Sequence, residues 1–149
     1  MVNGDAIGGG LEIVLACDLA ISVEHARFEL PEPRVGLAAS GGLHRLSRDI
    51  TMKHVMEIAL NGKLFDAQKA LNYGLINKIV KQENFKKETT NLLKSLMECA
   101  PLALIATKQM LMQGKDISSL KKAYQTKYTA YEKMLASKDA SEGTRAFIE

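Results

Sequence analysis

The sequence predicts a mixed α/β fold over its first half and an almost entirely helical second half. Three observations carry that expectation. Short runs rich in β-branched and apolar residues, DLAISV (18–23), ARFEL (26–30) and LINKIV (75–80), alternate with helix-like segments. From Thr51 onward apolar residues recur mostly at helical spacing. The chain has 149 residues, 46% hydrophobic and 25% charged, a composition that supports a buried core in water. A chain of this length buries roughly two-thirds of its unfolded surface.

The chain enters a glycine-rich turn almost at once, in MVNGDAIGGG, with no leading strand or helix. The expectation is a chain that begins in the middle of a larger unit. Leu11, Val14 and Leu15 then keep i, i+3, i+4 spacing and predict a helix over 9–17. The runs 18–23 and 26–30 read as strands. PEP (31–33) stops the second, because proline has no N–H for a ladder and restricts the residue before it. GLAASGG (36–42) is a small-residue loop, and LHRLSRDI (43–50) is one or two helical turns. In TMKHVMEIALNG (51–62), Val55, Ile58 and Ala59 share a face, with Thr51 as cap and Gly62 as stop. FDAQKALNYG (65–74) has Asp66 as N-cap and Gly74 as C-cap. After the strand at 75–80 come helices near 83–98, 101–113, 117–136 and 139–148, with Pro101 in a first turn.

Several function classes are disfavoured. No apolar run reaches the roughly 18 residues of a membrane span, and the start lacks a cleavable leader pattern. Cys17 and Cys99 sit in apolar contexts without zinc spacing and are expected to be buried, reduced thiols, which fits a cytoplasmic location. Residues 1–75 hold 7 basic and 9 acidic side chains, net −2, whereas residues 76–149 hold 13 and 8, net +5. Solvated helix faces account for that basic half, and too few aromatics are interleaved for a nucleic-acid stacking platform. The methionines of KHVMEIAL and KQMLMQ are expected in the core.

The chemistry-bearing candidates lie near the start. AIGGGLE (6–12) is neither a P-loop nor a dinucleotide fingerprint. It does precede a helix, where free N–H groups and the positive dipole end point outward. Without Cβ atoms a ligand oxygen can approach closely, as an oxyanion site requires. A tight turn packed on a neighbour explains the glycines equally well. Glu12 is either a favourable carboxylate in a first helical turn or, among Leu11, Ile13, Val14 and Leu15, a partly buried acid–base group with a raised pKa. Glu32 lies between two prolines that fix its direction, or is an exposed loop glutamate. It stands 20 positions after Glu12, and two carboxylates facing one pocket can divide acid and base work. His25, His44 and His54 have no partners at metal or triad spacing, so no metal is expected, and Ser40 is not in a nucleophile elbow.

VNGDAIGGGLEIVLACDLAIS, followed by ARFELPEPRVGL, GGLHRL and NGKLFDAQKALNYGLINKIV, closely resembles the enoyl-CoA hydratase/isomerase (crotonase) family. The resemblance spans essentially the whole chain, and the combination of blocks is far more specific than any one of them. It implies an α/β fold: a crotonase-like right-handed spiral of ββα units, partial because its N-terminal units are missing, followed by a C-terminal helical region. Residues 1–80 would be the C-terminal part of the spiral core and 81–149 a helical trimerisation region. The implied substrates are acyl-CoA thioesters, with coenzyme A as part of the substrate and no separate cofactor. The implied assembly is a homotrimer or dimer of trimers, with no nucleic-acid or membrane partner. Gly9 would offer one of two backbone N–H groups to the thioester oxyanion, with Gly8, Gly10 and Gly41 lining the substrate. Glu12 would activate a water, and Glu32 would exchange the proton at the α-carbon. Both glutamates are present, which favours hydration of 2-enoyl-CoA to 3-hydroxyacyl-CoA over family reactions that replace one or both. An isomerase, dehydratase or decarboxylase reaction, or a non-catalytic oligomerisation or partner-binding module, are the alternatives. The family's other oxyanion donor lies in a portion not matched here; loss of one such donor typically costs about 2.7–4 kcal/mol of transition-state stabilisation. The loop GLAASGG is also shorter than the family's usual version.

Overall fold

The strand-like runs of the first half form two small sheets in the computed structural model, which describes residues 1–148. The chain divides into two compact units, Met1–Asn91 and Leu92–Glu149. The division lies inside the helix Phe85–Met97.

The first unit runs β1 (Ala6–Ile7), α1 (Gly9–Ala16), β2 (Ile21–Val23), β3 (Arg27–Glu29), a 3-10 turn (Glu32–Val35), α2 (Leu43–Asp49), α3 (Met52–Asn61), β4 (Phe65–Asp66), α4 (Ala67–Asn72), β5 (Lys78–Val80), a second 3-10 turn (Gln82–Asn84) and the start of α5 (Phe85–Met97). One sheet has the order β1-β3-β4. β1 is parallel to β3 with Ala6 opposite Phe28, and β4 is antiparallel to β3 with Phe65 opposite Phe28. The other pairs β2 and β5 in parallel, Ile21 opposite Lys78, and Val2 extends it by a bridge to Ser22. All three residues of β2 are buried, so this strand is an unalternating run covered on both faces. Asn77 fastens the entry to β5: its Oδ1 accepts from Ala20 N–H and its own N–H donates to Ala20 O, each at 2.7 Å.

The core of this unit gathers Leu11 and Leu15 of α1, Phe28 and Leu30, Leu46 of α2, Val55 and Ile58 of α3, and Phe65. Phe28 and Phe65 stack with centroids 5.8 Å apart, an arrangement that adds to their burial energy. The stop at Gly62 and the cap at Asp66 fall where the sequence puts them, whereas the C-cap read at Gly74 is Tyr73. Gly62 ends α3 in the left-handed conformation at φ 52°. Asp66 caps α4, its carboxylate accepting from Lys69 N–H at 2.8 Å. Gly74 sits one residue past the Tyr73 C-cap at φ 80°. The two-residue strands β1 and β4 are additions to the sequence reading, and the strand read over 75–80 is confined to Lys78–Val80.

The second unit contains α6 (Pro101–Gly114), α7 (Leu120–Gln125), α8 (Thr129–Leu135) and α9 (Lys138–Ile148). The single helix expected over 117–136 is broken at Thr126–Tyr128. Thr126 and Tyr128 are extended, and the Tyr128 ring turns inward to 5% exposure, its hydroxyl donating to Ala123 O. Burial of one aromatic outweighs continuation of the helix. Gln109 of α6 then caps α8, its Oε1 accepting from Ala130 N–H at 2.8 Å.

Two burial expectations are corrected. Cys17 and Cys99 are both exposed: α1 buries the stripe Leu11 and Leu15, and Cys17 leaves that stripe as an extended C-cap. Met56, Met110 and Met112 are 49%, 37% and 50% exposed rather than core. Met56 lies off the buried Val55–Ile58 stripe, and α6 buries only Ala106.

Candidate active site

The N-terminus of α1 is built by a glycine that no other residue replaces cheaply. Gly8 is the N-cap, at φ 54° and ψ −120°, a region costly for residues with a Cβ. Its N–H donates to Glu29 O at 2.9 Å, which ties the turn to β3. The first helical bond is Glu12 N–H to Gly8 O at 3.1 Å. The N–H groups of Gly9, Gly10 and Leu11 therefore precede the intrahelical ladder, and no side chain caps them. A Cβ at Gly9 or Gly10 would meet nothing within 4 Å. These uncapped donors stand at the positive end of a helix dipole.

Glu32 reaches the same turn from the other side. It opens the 3-10 turn that follows β3, between Pro31 and Pro33. That turn is closed by Arg34 N–H to Pro31 O and Leu37 N–H to Glu32 O, both 2.9 Å, with Gly36 left-handed at φ 77°. The half-buried carboxylate lies against Gly8: a Cβ there would stand 3.1 Å from Glu32 Oε1. Its other oxygen, Oε2, is buried with no hydrogen-bond partner. An unpaired buried oxygen is costly unless a proton or a ligand donor satisfies it.

Glu12 stands one turn into α1 and is half-buried. Its carboxylate packs on the loop before α2. A Cβ at Gly41 would lie 2.8 Å from Glu12 Oε2, and one at Gly42 would lie 3.0 Å from its Cγ. The fold therefore brings Glu32 to the cap of α1 and holds Glu12 one turn along it, against the Gly41–Gly42 loop. Among the described residues neither carboxylate has a basic partner, so neither is spent on an ion pair.

The other candidates lie apart. His25, His44 and Ser40 are exposed. His54 stacks on Tyr73 with centroids 3.7 Å apart and planes 4° apart. Among the described residues no group of three or more His, Cys, Asp or Glu could hold a metal ion, and no helix is long and apolar enough to cross a membrane. Two hollows of about 200 and 180 Å³ run along α3, the first lined by Met56, Glu57, Leu60 and Asn61, the second reaching Lys63 and Lys69. Neither includes residues 8–12 or Glu32, where the uncapped donors and unpaired carboxylates lie. Sequence reasoning missed Gly42 and Arg34. The doubled glycine of SGG was the available signal for Gly42. Arg34 had none, because its partner is a backbone carbonyl 28 positions away.

A crotonase-like α/β fold is what these elements compose, and comparison with known proteins agrees. Residues 1–149 match the family described as enoyl-CoA hydratase/isomerase. Among curated proteins, the carnitinyl-CoA dehydratases of Salmonella arizonae and Citrobacter koseri are 35% and 34% identical to this chain, each over 99% of it and 58% of their own length. Among solved structures, an enoyl-CoA hydratase from Mycobacterium smegmatis superposes with a TM-score of 0.90 at 26% identity, over 99% of this chain and 57% of its own. An enoyl-CoA hydratase/isomerase from Mycobacterium paratuberculosis gives 0.89 at 32% identity, over 98% and 58%. The chain belongs to the enoyl-CoA hydratase/isomerase family. It spans just over half the length of the curated relatives it matches.

Proposed function

We propose that the protein carrying this chain adds water to 2-enoyl-CoA thioesters, giving 3-hydroxyacyl-CoA. The observation that carries this reading is the placing of two unpaired carboxylates, Glu12 and Glu32, about the uncapped N-terminus of α1. Gly9 N–H stabilises the thioester oxygen as it takes on enolate charge, a task suited to fixed donors at a helix end. Glu12 accepts a proton from the water whose oxygen bonds to C3. Glu32, whose Oε2 is buried without a partner, delivers a proton to the α-carbon. One proton is taken up and one given, and exchange with solvent resets the pair. Gly10 leaves room beside the acyl path, while Gly8 and Gly41 line it by making room for the Glu32 and Glu12 carboxylates.

A second reading keeps the same residues and runs them toward loss of water. The curated relatives at 34–35% identity are named carnitinyl-CoA dehydratases, which favours a dehydratase acting on a 3-hydroxyacyl-CoA. The exposed apolar side chains of α6 support self-association of the protein, with a trimer as the proposed state.

The test is turnover of crotonyl-CoA, and of a 3-hydroxyacyl-CoA in reverse, by the full-length protein and its Glu12→Gln and Glu32→Gln variants. Each variant is expected to lose at least about 100-fold in kcat, the lower range for loss of a positioned acid or base. Wild-type rates in both variants, or acyl-CoA binding without turnover in the wild type, would overturn the catalytic reading in favour of a binding module.

A further inference from the structure

The Glu32 turn is anchored to a distant helix end by one side chain. Arg34 follows Glu32 by two residues in the same 3-10 turn, and its Nε donates to the carbonyl of Gly62. Gly62 ends α3, is buried, and is left-handed at φ 52°. Its carbonyl is one of the C-terminal carbonyls of α3 that lack an intrahelical partner, which an N–H donor satisfies. The fit around it is close. A Cβ at Gly62 would stand 3.2 Å from Arg34 Cγ, 3.4 Å from Arg34 Nε and 3.4 Å from Leu30 O, the residue that leads into the PEP segment. A glycine is therefore demanded twice, by the backbone angle and by the Arg34 stem.

The rest of the turn offers no equivalent restraint. Its other hydrogen bonds are internal, from Arg34 N–H to Pro31 O, Gly36 N–H to Pro33 O and Leu37 N–H to Glu32 O. They fix its shape but not its place. None of its residues is buried. Glu32 itself touches Gly8 without a hydrogen bond, and its Oε2 is unpartnered. The connection thus runs from the α3 C-terminus through Arg34 to Glu32 and on to the α1 N-cap.

We infer that Arg34 is a positioning residue that sets the aim of Glu32 at the α-carbon by hydrogen-bonding the Gly62 carbonyl through Nε. This rests on the reading of Glu32 as the α-carbon acid. The group that acts is the Nε–H, not the guanidinium charge, which separates the inference from a role for Arg34 in holding a substrate phosphate.

Two substitutions discriminate. In Arg34→Gln, the side-chain N–H donor is attached to Cδ, as Nε is in arginine, so the bond to Gly62 O is retained while the charge is lost. In Arg34→Met the chain has similar reach and no donor. Crotonyl-CoA turnover is measured for both in the full-length protein, each alone and combined with Glu32→Gln, alongside amide hydrogen exchange over residues 31–37. Arg34→Met is expected to lower kcat about 10- to 100-fold, the scale of a misplaced catalytic group, with KM changed less than about 2-fold. It should speed exchange at Gly36 and Leu37. Arg34→Gln should restore kcat to within about 3-fold of wild type and restore protection, because its donor occupies the Nε position. In the Glu32→Gln background, Arg34→Met should cost nothing further, as expected for residues acting as one unit. A loss in Arg34→Gln equal to that in Arg34→Met, an additive loss with Glu32→Gln, or unchanged exchange in Arg34→Met would overturn the proposal. If Glu32→Gln alone turns over at the wild-type rate, the reading of the site fails and the catalytic role of Arg34 with it. If Glu32→Gln is inactive and Arg34→Met is not, the positioning proposal alone fails.

Discussion

Gly41 is where the Glu12 carboxylate finds its room. It is not at a left-handed φ, so its backbone admits alanine without strain. What alanine would change is Glu12: the new methyl carbon would stand 2.8 Å from Oε2 and 3.0 Å from Cδ, well inside van der Waals contact. The obstructed group is the end of a flexible side chain, which can swing away. Gly41→Ala is therefore expected to leave the urea midpoint close to wild type, within about 0.5 kcal/mol as for most surface changes. It should lower kcat about 10- to 100-fold by moving the carboxylate proposed to activate water. A variant with wild-type turnover would show that Glu12 is not held for catalysis where the glycine wall leaves it. Gly8 is the contrasting position. Its φ of 54° and the contact with Glu32 Oε1 make any substitution strain the fold and the site together, so it separates nothing.

At the scale of elements, α3 and α4 are joined by a polar cluster outside the site. Glu57 of α3 accepts from Lys69 Nζ of α4 and from the hydroxyl of Tyr73, the α4 C-cap, while His54 stacks on the Tyr73 ring. The Lys69 ammonium, then the Tyr73 hydroxyl, hold the Glu57 carboxyl below its ordinary value of 4.5. The same carboxylate raises Lys69 and Tyr73 above theirs. A depressed carboxyl stabilises the fold above its unfolded value and loses that contribution as pH falls through the folded one. A raised amine or phenol stabilises below its unfolded value and loses it as pH rises through the folded one. Glu57→Gln should therefore be less stable than wild type at neutral pH. The gap in urea midpoint should close below about pH 4.5 and again above about pH 10.5. A gap constant across pH would assign the loss to packing. Legibility at this scale follows locality. The Asp66 cap, the Gly62 stop and the Val55–Ile58 stripe depend on neighbours within one or two turns, and all stand where the sequence puts them. β1 and β4 are two-residue strands defined by partners about 20 and 40 positions away, so nothing local marks them. The break at Thr126–Tyr128 is set by the burial of one ring, which periodicity does not report.

The whole molecule repeats that division. Glu12 and Glu32 were legible because their blocks are distinctive, yet the sequence left open whether they meet. Their placement at the same end of α1 depends on the parallel pairing of β1 with β3, which brings the residues before α1 beside those before the Glu32 turn. The exposed apolar surface is the least legible feature, since α6 is apolar around most of its circumference and reads as core. Only Ala106 of that helix is buried, while Ile105, Leu111 and Met112 are 57%, 67% and 50% exposed. Scattered exposed apolar residues are ordinary; several on one helix are what the proposed self-association would cover. The proposed self-association predicts that the protein sediments as an oligomer. Ile105→Lys combined with Leu111→Lys should shift it toward monomer, because each lysine must lose its hydration on burial. Both positions are exposed in the single chain, so helix content by circular dichroism should stay unchanged. A wild type that sediments as a monomer would remove the trimer from the reading. An oligomer indifferent to the double variant would place its interface on another surface.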